Sequence, residues 1–339
     1  AGPSPTETVD PALLEELAKH DAAMPGLDAG DKLMAQWHLD RIEILKKIIA
    51  QVQSPEEKLN FYKLVVHDLA EAYKTGLYPQ GSTLFDSLQK QGGKLGSFAT
   101  YRRILAEFDL EADKPGANLQ AVQEAMVEKL KGFLTDHPGS DEEPEVLFQL
   151  ATVHEFNGGE NEAKNYWSQL AQKFPESAPG KKAQGALKRL DLDGKSLSLS
   201  GPTLDGKTVS VADFAGKSLL VVYWMSLTEP DRRELADLVA LYDKNKGKGF
   251  EVLSVNLDPD RSTVEAYLKE QSLPWPVIFE EGGLDSRPAN DLGIIATPTM
   301  ILVSPEGKVV SHQIRKASEV EKYLEKPLGS GPVGLNLKQ

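Results

Sequence analysis

The sequence of 339 residues contains no cysteine. A cysteine thiolate is the nucleophile of disulfide exchange and a common zinc ligand. Its absence therefore excludes disulfide bonds, cysteine metal sites and any thiol mechanism carried by this chain, whichever compartment the protein occupies.

Long apolar runs are also missing. No stretch approaches the ~20 apolar residues that cross a bilayer, so the sequence predicts no transmembrane segment. The first residues, 1–9, look like the flexible N-terminus that a signal peptidase leaves, although an artificial chain start would look the same. We therefore expect an extracytoplasmic protein, periplasmic or secreted, whose signal peptide has been removed. Whether Ala1 is the mature N-terminus stays open.

Positive charge is scarce relative to negative charge. The formal net charge is -13, and no long basic run is present that could meet phosphate groups. Nucleic acid is therefore not an expected partner. The contents of 40% hydrophobic and 26% charged residues are typical of a globular protein, and the length is sufficient for two domains.

Patterns that would hold a metal ion are weak. An Asp-rich segment at 256–260 lacks the glycine and glutamate spacing of an EF-hand, and its more ordinary interpretation is a strand end that caps the next helix. We expect no metal and no other cofactor. The six histidines are scattered, with no pair at the i, i+4 spacing of a helical metal site: His20, His38, His67, His137, His154 and His312.

Residues 10–192 are predicted to form an all-α, helical-repeat domain. Apolar residues recur at helical spacing, and a capping box begins at Ser54 with Glu57 three residues later. The Gly-rich segment 80–96 is expected to interrupt this pattern. Residues 144–177 resemble one tetratricopeptide unit, a repeat of about 34 residues, so we describe the domain as TPR-like.

After a predicted linker at 193–202 the pattern changes. Strands and helices alternate over 203–328, which indicates an α/β domain, and 329–339 form a C-terminal tail. The most informative segment is a buried strand, 219–224, that leads directly into a helix. Thr228 is expected to be the N-cap of this helix and Asp231 an acidic residue in its first turn.

This strand and helix start resemble the active-site segment of the TlpA/ResA-like branch of the thioredoxin superfamily, which typically reads W-A-T-W-C-x-P-C-[KR]. Trp224, Pro230 and Arg232 match that pattern, and Glu234 lies where the branch often carries an acidic residue. Thr228 and Asp231 replace the two cysteines.

The aromatic residue that precedes the first cysteine in this family is Leu227 here. Farther along the chain, Ala296-Thr297-Pro298-Thr299 resembles the cis-proline motif of the same fold, so the Thr297-Pro298 bond is expected to be cis. The resemblance implies a thioredoxin-like domain with a degenerate active site. It also implies a groove beside the cis-proline that binds a partner. The expected groove residues are Trp224, Leu227, Thr228, Glu229, Pro230, Asp231, Glu234, Thr297 and Pro298.

The leading hypothesis is a non-catalytic bacterial protein that uses its TPR-like helices and cis-proline groove for protein-protein interaction or assembly. One alternative is a thiol-disulfide oxidoreductase or peroxidase of the redoxin family, which the resemblance suggests. Another is a structural subunit of an extracytoplasmic complex. An acid-base pair of Asp231 and Glu234 is conceivable, but the first-turn position of Asp231 favours a capping role. The identity of the partner and the oligomeric state stay open.

Overall fold

The computed structural model describes residues 9–26 and 28–324, and the chain divides into two compact units, 1–153 and 154–339. Most of the predicted N-terminal tail, the predicted C-terminal tail and the last residues of the predicted thioredoxin-like domain lie outside the described residues. The helices are α1 (Pro11–Ala22), α2 (Asp31–Gln51), α3 (Pro55–Lys74), α4 (Gly81–Gln89), α5 (Gly93–Ala112), α6 (Leu119–Asp136), α7 (Glu143–Phe156), α8 (Glu160–Lys173), α9 (Ala178–Leu190), α10 (Glu229–Asn245), α11 (Arg261–Glu270), α12 (Arg287–Asp291) and α13 (Ala317–Leu324). The strands are β1 (Ser200–Pro202), β2 (Thr208–Ser210), β3 (Ser218–Trp224), β4 (Phe250–Asn256), β5 (Val277–Phe279), β6 (Thr299–Val303) and β7 (Val309–Ile314).

The first unit is helical throughout its described secondary structure. Helices α1, α3 and α6 begin at side-chain caps, because Asp10, Ser54 and Asn118 each accept a hydrogen bond from a backbone N–H in the first turn. The expected interruption at 80–96 is wrong. This segment holds all of α4 and the start of α5, joined at Gly92, whose positive φ of 65° permits a sharp turn that other residues rarely adopt.

The second unit is built on a five-stranded sheet with the strand order β5-β4-β3-β6-β7. β3, β4 and β5 are parallel, whereas β6 is antiparallel to both β3 and β7. The predicted α/β class is confirmed. The predicted cis bond at Thr297-Pro298 is also present, immediately before β6.

Strand β3 lies at the centre of this sheet and is buried along its whole length. Because successive side chains of a strand point to opposite faces, Leu220 and Trp224 pack in the core on one face with α10 and α13. Leu219 and Tyr223 pack in the core on the other face with α12. The continuous apolar run of β3 is thus explained by burial on both sides.

The last two helices before the sheet, α8 and α9, belong to the second unit. Arg189 on α9 donates from Nε to the carbonyl of Leu292, 3.1 Å away, and pairs with Glu155 at 2.7 Å. Gly185 lies so close to α12 that a Cβ atom would come within 2.0 Å of the carbonyl oxygen of Asn290. The α9 helix is therefore fixed to the α/β part by the Arg189–Leu292 hydrogen bond and a close backbone contact, whereas the buried ion pair joins α9 to Glu155 on α7.

The predicted linker, 193–202, also lies within the second unit. Asp193 makes an isolated β-bridge to Val309 of β7, Ser196 makes one to Lys308 just before β7, and the end of the segment forms β1. Bridges of this kind cover the edge of a sheet that would otherwise stay unpaired. The compact units thus divide at residue 153, whereas the sequence placed the change at 192. The predicted limits of the domains and the TPR-like character of the helices stay predictions.

Among the described residues, none of the helices combines the length and the apolar character that spanning a membrane requires.

Replacement of Gly185 by alanine should destabilise the second unit, because its Cβ would collide with backbone atoms. We expect Gly185→Ala to lower the free energy of unfolding by about 3 kcal/mol, the upper end of the usual cost of overpacking. Gly132 on α6 is the matched control, since nothing lies within 4 Å of its Cβ position. Gly132→Ala should raise stability by about 0.5 to 1 kcal/mol. Guanidinium denaturation of the full chain measures both effects, and equal changes in the two variants would contradict the packing described here.

Candidate functional site

The candidate site forms where β3 ends and α10 begins. Trp224 closes β3, and its carbonyl accepts a hydrogen bond from the Leu257 N–H at 2.8 Å. Residues 225–228 then form a short loop, and Thr228 occupies the N-cap position of α10 with extended backbone angles. The parallel strands β3 and β4 end side by side, so loops from both lie at one edge of the sheet.

The carboxylate of Asp231, fully buried at 0% exposure, connects the parts of this site. Its Oδ2 atom accepts hydrogen bonds from the Met225 N–H at 3.0 Å and the Thr297 hydroxyl at 2.7 Å. The Thr228 hydroxyl donates to the same oxygen. One oxygen atom thus joins the loop after β3, the start of α10 and the cis-proline loop.

The negative charge of Asp231 is disfavoured by its burial. Burial raises the pKa of Asp231 above its ordinary value, although the hydrogen bonds from Thr228, Thr297 and Met225 favour the charged form and oppose that rise. The nearby carboxylate of Asp258 raises the pKa further. The second oxygen, Oδ1, is buried and has no hydrogen-bond partner among the described residues.

Asp258 is a second buried carboxylate that supports the same loop. Its Oδ1 accepts a hydrogen bond from the Ser226 N–H at 2.8 Å, and its Oδ2 accepts one from the side-chain amide of Asn256 at 2.9 Å. On the other side, Arg232 donates from Nε to the carbonyl of Ser226 at 2.6 Å. The loop between β3 and α10 is therefore held at successive backbone groups.

The cis-proline loop lies directly against this assembly through Thr297. The backbone N–H and C=O of Thr297 have no hydrogen-bond partner within the described parts of the chain. Pro298 is half-buried, and its carbonyl accepts a hydrogen bond from Arg315 Nη1 at 3.0 Å. The loop is thus fixed by the Thr297 side chain and by Arg315, while the backbone N–H and C=O of Thr297 stay unpaired among the described residues.

The predicted groove residues fall into three groups by exposure. Leu227 is 67% exposed, and Glu229 and Pro230 are also exposed. Thr228, Thr297, Pro298 and Glu234 are half-buried. Trp224 and Asp231 are fully buried, so these two support the groove from beneath and have no surface to offer a partner.

Two expectations about side-chain roles are wrong, although Thr228 does occupy the predicted N-cap position. The Thr228 side chain accepts no capping hydrogen bond from α10, and its hydroxyl donates to Asp231. Asp231 does not cap α10 either, since its carboxylate binds the Met225 N–H outside the helix. Asp231 and Glu234 do not form an acid-base pair. Glu234 Oε2 accepts a hydrogen bond from the Ala317 N–H at 2.8 Å and so caps α13.

The Asp-rich segment at 256–260 ends a strand and caps the next helix, as expected. Asp260 accepts a hydrogen bond from the Thr263 N–H at 3.0 Å and caps α11. Within residues 9–26 and 28–324, no group of three or more His, Asp or Glu side chains is arranged to hold a metal ion. Asp258, which sequence analysis did not assign to the site, is recognisable only once β3 and β4 are paired.

Comparison with known proteins agrees with this geometry. A family model described as the AhpC/TSA family matches residues 193–312. The thiol-disulfide oxidoreductase ResA of Bacillus thuringiensis subsp. konkukian is 30% identical over 125 residues, which are 36% of this chain and 70% of that protein. The chain therefore belongs to the redoxin family that includes ResA.

Two further similar proteins are also named as thiol-disulfide oxidoreductases. ResA of Halalkalibacterium halodurans is 26% identical over 124 residues, which are 36% of this chain and 69% of that protein. The thioredoxin domain of a thiol-disulfide oxidoreductase from Bacteroides vulgatus aligns with 29% identity and a TM-score of 0.35, over 39% of this chain and 96% of that domain. The resemblance to ResA-like redoxins is confirmed. This redoxin nevertheless lacks every thiol.

Substitutions at Asp231 should separate its hydrogen bonds from its charge. Asp231→Ala removes the acceptor of three donors, so we expect a loss of about 2 to 4 kcal/mol at pH 7. Asp231→Asn keeps an acceptor without a charge. Because burial raises the folded-state pKa of Asp231, the folded wild-type protein binds a proton more readily than the unfolded chain, and its stability falls as the pH rises through that pKa.

The wild-type protein should therefore gain stability relative to Asp231→Asn as the pH falls from 7 toward the unfolded value of ~3.9. Guanidinium denaturation midpoints measured between these pH values test this. A difference between the two proteins that does not change with pH would contradict the assigned pKa direction.

Proposed function

We propose that this protein binds an extended segment of another protein at the cis-proline loop and performs no thiol chemistry. The observation that carries the proposal is the side-chain pair Thr228 and Asp231, hydrogen-bonded to each other at the two positions where ResA-like proteins have cysteines. Asp231 connects the start of α10 to Thr297 of the cis-proline loop, and the site has no nucleophilic sulfur.

Two features of the site support binding. The unpaired backbone N–H and C=O of Thr297 are the groups that an added β-strand uses when it pairs with a protein edge. Leu227, 67% exposed, offers apolar surface at the start of α10. A large exposed apolar side chain beside free backbone groups favours a partner that supplies both a strand and an apolar contact.

The rest of the molecule fits this proposal. The TPR-like helices would provide a second surface for protein partners, as helical repeats do elsewhere. We infer a location outside the cytoplasm, in the periplasm or secreted, from the likeness to ResA. A role as a structural subunit of an extracytoplasmic complex is compatible with the same binding surfaces.

The names of the relatives favour a second candidate function, thiol-disulfide exchange. This chain could take part in such exchange only with sulfur atoms supplied by other molecules, since it has no cysteine. Purified protein should show no disulfide reduction and no peroxide consumption above background. Turnover in either assay would contradict the proposal.

Binding at the groove should depend on Leu227. Fluorescein-labelled heptapeptide pools of random sequence serve as probes, and fluorescence polarisation measures their binding to the full chain. Leu227→Ala should weaken binding about five- to thirtyfold, as expected for an exposed residue at the centre of an interface. Leu119→Ala is the matched control, because Leu119 is 62% exposed but lies in the other unit. Equal binding by both variants would refute the groove as the binding site.

Cysteines restored at the two replaced positions should form a bridge. The Thr228 and Asp231 side chains already touch, so Thr228→Cys combined with Asp231→Cys should close a disulfide under mild oxidant. The thiol at position 228 should titrate below the free value of ~8.5 because it lies at a helix N-terminus. Reduction of insulin should stay poor, since Leu227 replaces the usual aromatic residue.

Thiol titration and insulin reduction, measured beside a true thioredoxin, check these expectations. The variant with Thr228→Cys and Asp231→Ser is the control, because it supplies the first thiol without a partner. Reduction as efficient as that of thioredoxin would show that the groove still presents disulfides to the sulfur.

A further inference from the structure

Arg315, the residue after β7, is a half-buried cation beside the cis-proline loop. Its Nη1 group donates to the carbonyl of Pro298 at 3.0 Å and to the hydroxyl of Thr299. Both acceptors are neutral. The N–H groups on Nε and Nη2 have no acceptor among the described residues, so part of the guanidinium fork is free.

Carboxylates of the second unit come near Arg315 without neutralising it. Glu155 attracts the guanidinium from a distance, but its own oxygens accept hydrogen bonds from Arg189 at 2.7 Å and Trp167 at 3.0 Å. Glu319 also attracts Arg315 without forming an ion pair with it. Arg315 makes no salt bridge within the part of the chain that the structure describes. A half-buried charge of this kind is stabilised when an opposite charge reaches it.

Phe156 packs against Arg315. Its ring stacks on the Arg315 guanidinium, with 5.3 Å between the guanidinium carbon and the ring centroid, yet the residue stays 50% exposed. An aromatic face holds an arginine in place and leaves the edge of the fork free for hydrogen bonds. Phe156 also extends the exposed apolar surface next to the cis-proline loop.

We propose that Arg315 and Phe156 form a subsite for a glutamate or aspartate side chain of the extended segment bound at the cis-proline loop. The inference rests on the proposed function and names the chemistry of the partner. The planar fork of Arg315 matches a carboxylate, and Phe156 contacts the methylene groups that carry it. The occupant is thus an extended acidic peptide segment.

The position of the subsite favours a side chain over a chain terminus. Arg315 contacts the Pro298 carbonyl, one residue beyond the free backbone pair of Thr297. A bound strand advances about 3.3 Å per residue, and alternate side chains share a face. A strand paired with Thr297 therefore continues past the subsite and presents a side chain to it one or two residues away.

Matched peptide pools test this subsite on the full chain. One set of labelled, C-terminally amidated heptapeptide pools fixes glutamate at each position in turn, and a second set fixes glutamine. A third set carries glutamine with a free C-terminal carboxylate. We expect glutamate at one position to bind about tenfold more tightly than its glutamine match, as a charge-assisted pair allows. The free terminus should give no such gain.

Variants then assign the preference to its residue. In Arg315→Gln the affinities for the glutamate and glutamine pools should differ by no more than about twofold. Arg315→Lys should keep part of the glutamate preference, because the charge remains without the planar fork. Arg261→Gln is the matched control, since Arg261 is an exposed arginine of the same unit that pairs with Glu265 on α11. It should leave the glutamate preference unchanged. Circular dichroism melts confirm that each variant is folded.

The possible results separate this inference from the proposed function. Equal binding of glutamate and glutamine pools to the wild-type protein overturns the subsite, and it leaves the groove intact if Leu227→Ala still weakens both. A preference that survives Arg315→Gln, or one that follows the free terminus, also overturns the subsite. If no pool binds, the proposed function fails and the subsite fails with it.

Discussion

The site depends on the Oδ2 atom of Asp231, a single oxygen that accepts hydrogen bonds from three segments of the chain. Met225 comes from the loop after β3, Thr228 from the start of α10 and Thr297 from the cis-proline loop. The resemblance to ResA-like redoxins places the two cysteines of that branch at positions 228 and 231. Here a buried carboxylate at position 231 connects the three segments and has no thiol chemistry. This arrangement has an electrostatic cost, because Oδ1 is buried without a hydrogen-bond partner among the described residues and burial raises the pKa of Asp231.

Much of the second unit could be predicted from sequence, because its signals are local. The apolar run of β3, the helix that follows and the motif around Pro298 each occupy a few adjacent residues, and the structure has them in the predicted order. The role of Thr228 could not be predicted in the same way. An N-cap threonine normally accepts a hydrogen bond from a helix N–H, but here the Thr228 side chain is oriented so that its hydroxyl donates to the buried carboxylate of Asp231. Spacing alone does not show which orientation the side chain adopts.

Contacts between residues far apart in the sequence could not be predicted either. Helical periodicity shows that α9 has an apolar face, but not that Gly185 on this helix approaches α12 within backbone contact. The sequence of segment 193–202 predicts a linker because nothing in it reveals the bridges to Lys308 and Val309. Arg315 and Phe156 are separated by most of the second unit, so their stacking has no sequence signal. Of these contacts, the one between Arg315 and Phe156 lies beside the cis-proline loop.

The central claim is that a redoxin without thiols keeps the cis-proline loop as a binding surface. Its most direct test is amide chemical-shift mapping by NMR while the full chain is titrated with one peptide chosen from the pools for its affinity. The account predicts that the largest shifts occur at Thr297, whose N–H gains a partner, and at Leu227, with smaller shifts along β7 near Arg315. Shifts confined to the helices of residues 9–153, with Thr297 and Leu227 unchanged, would contradict it.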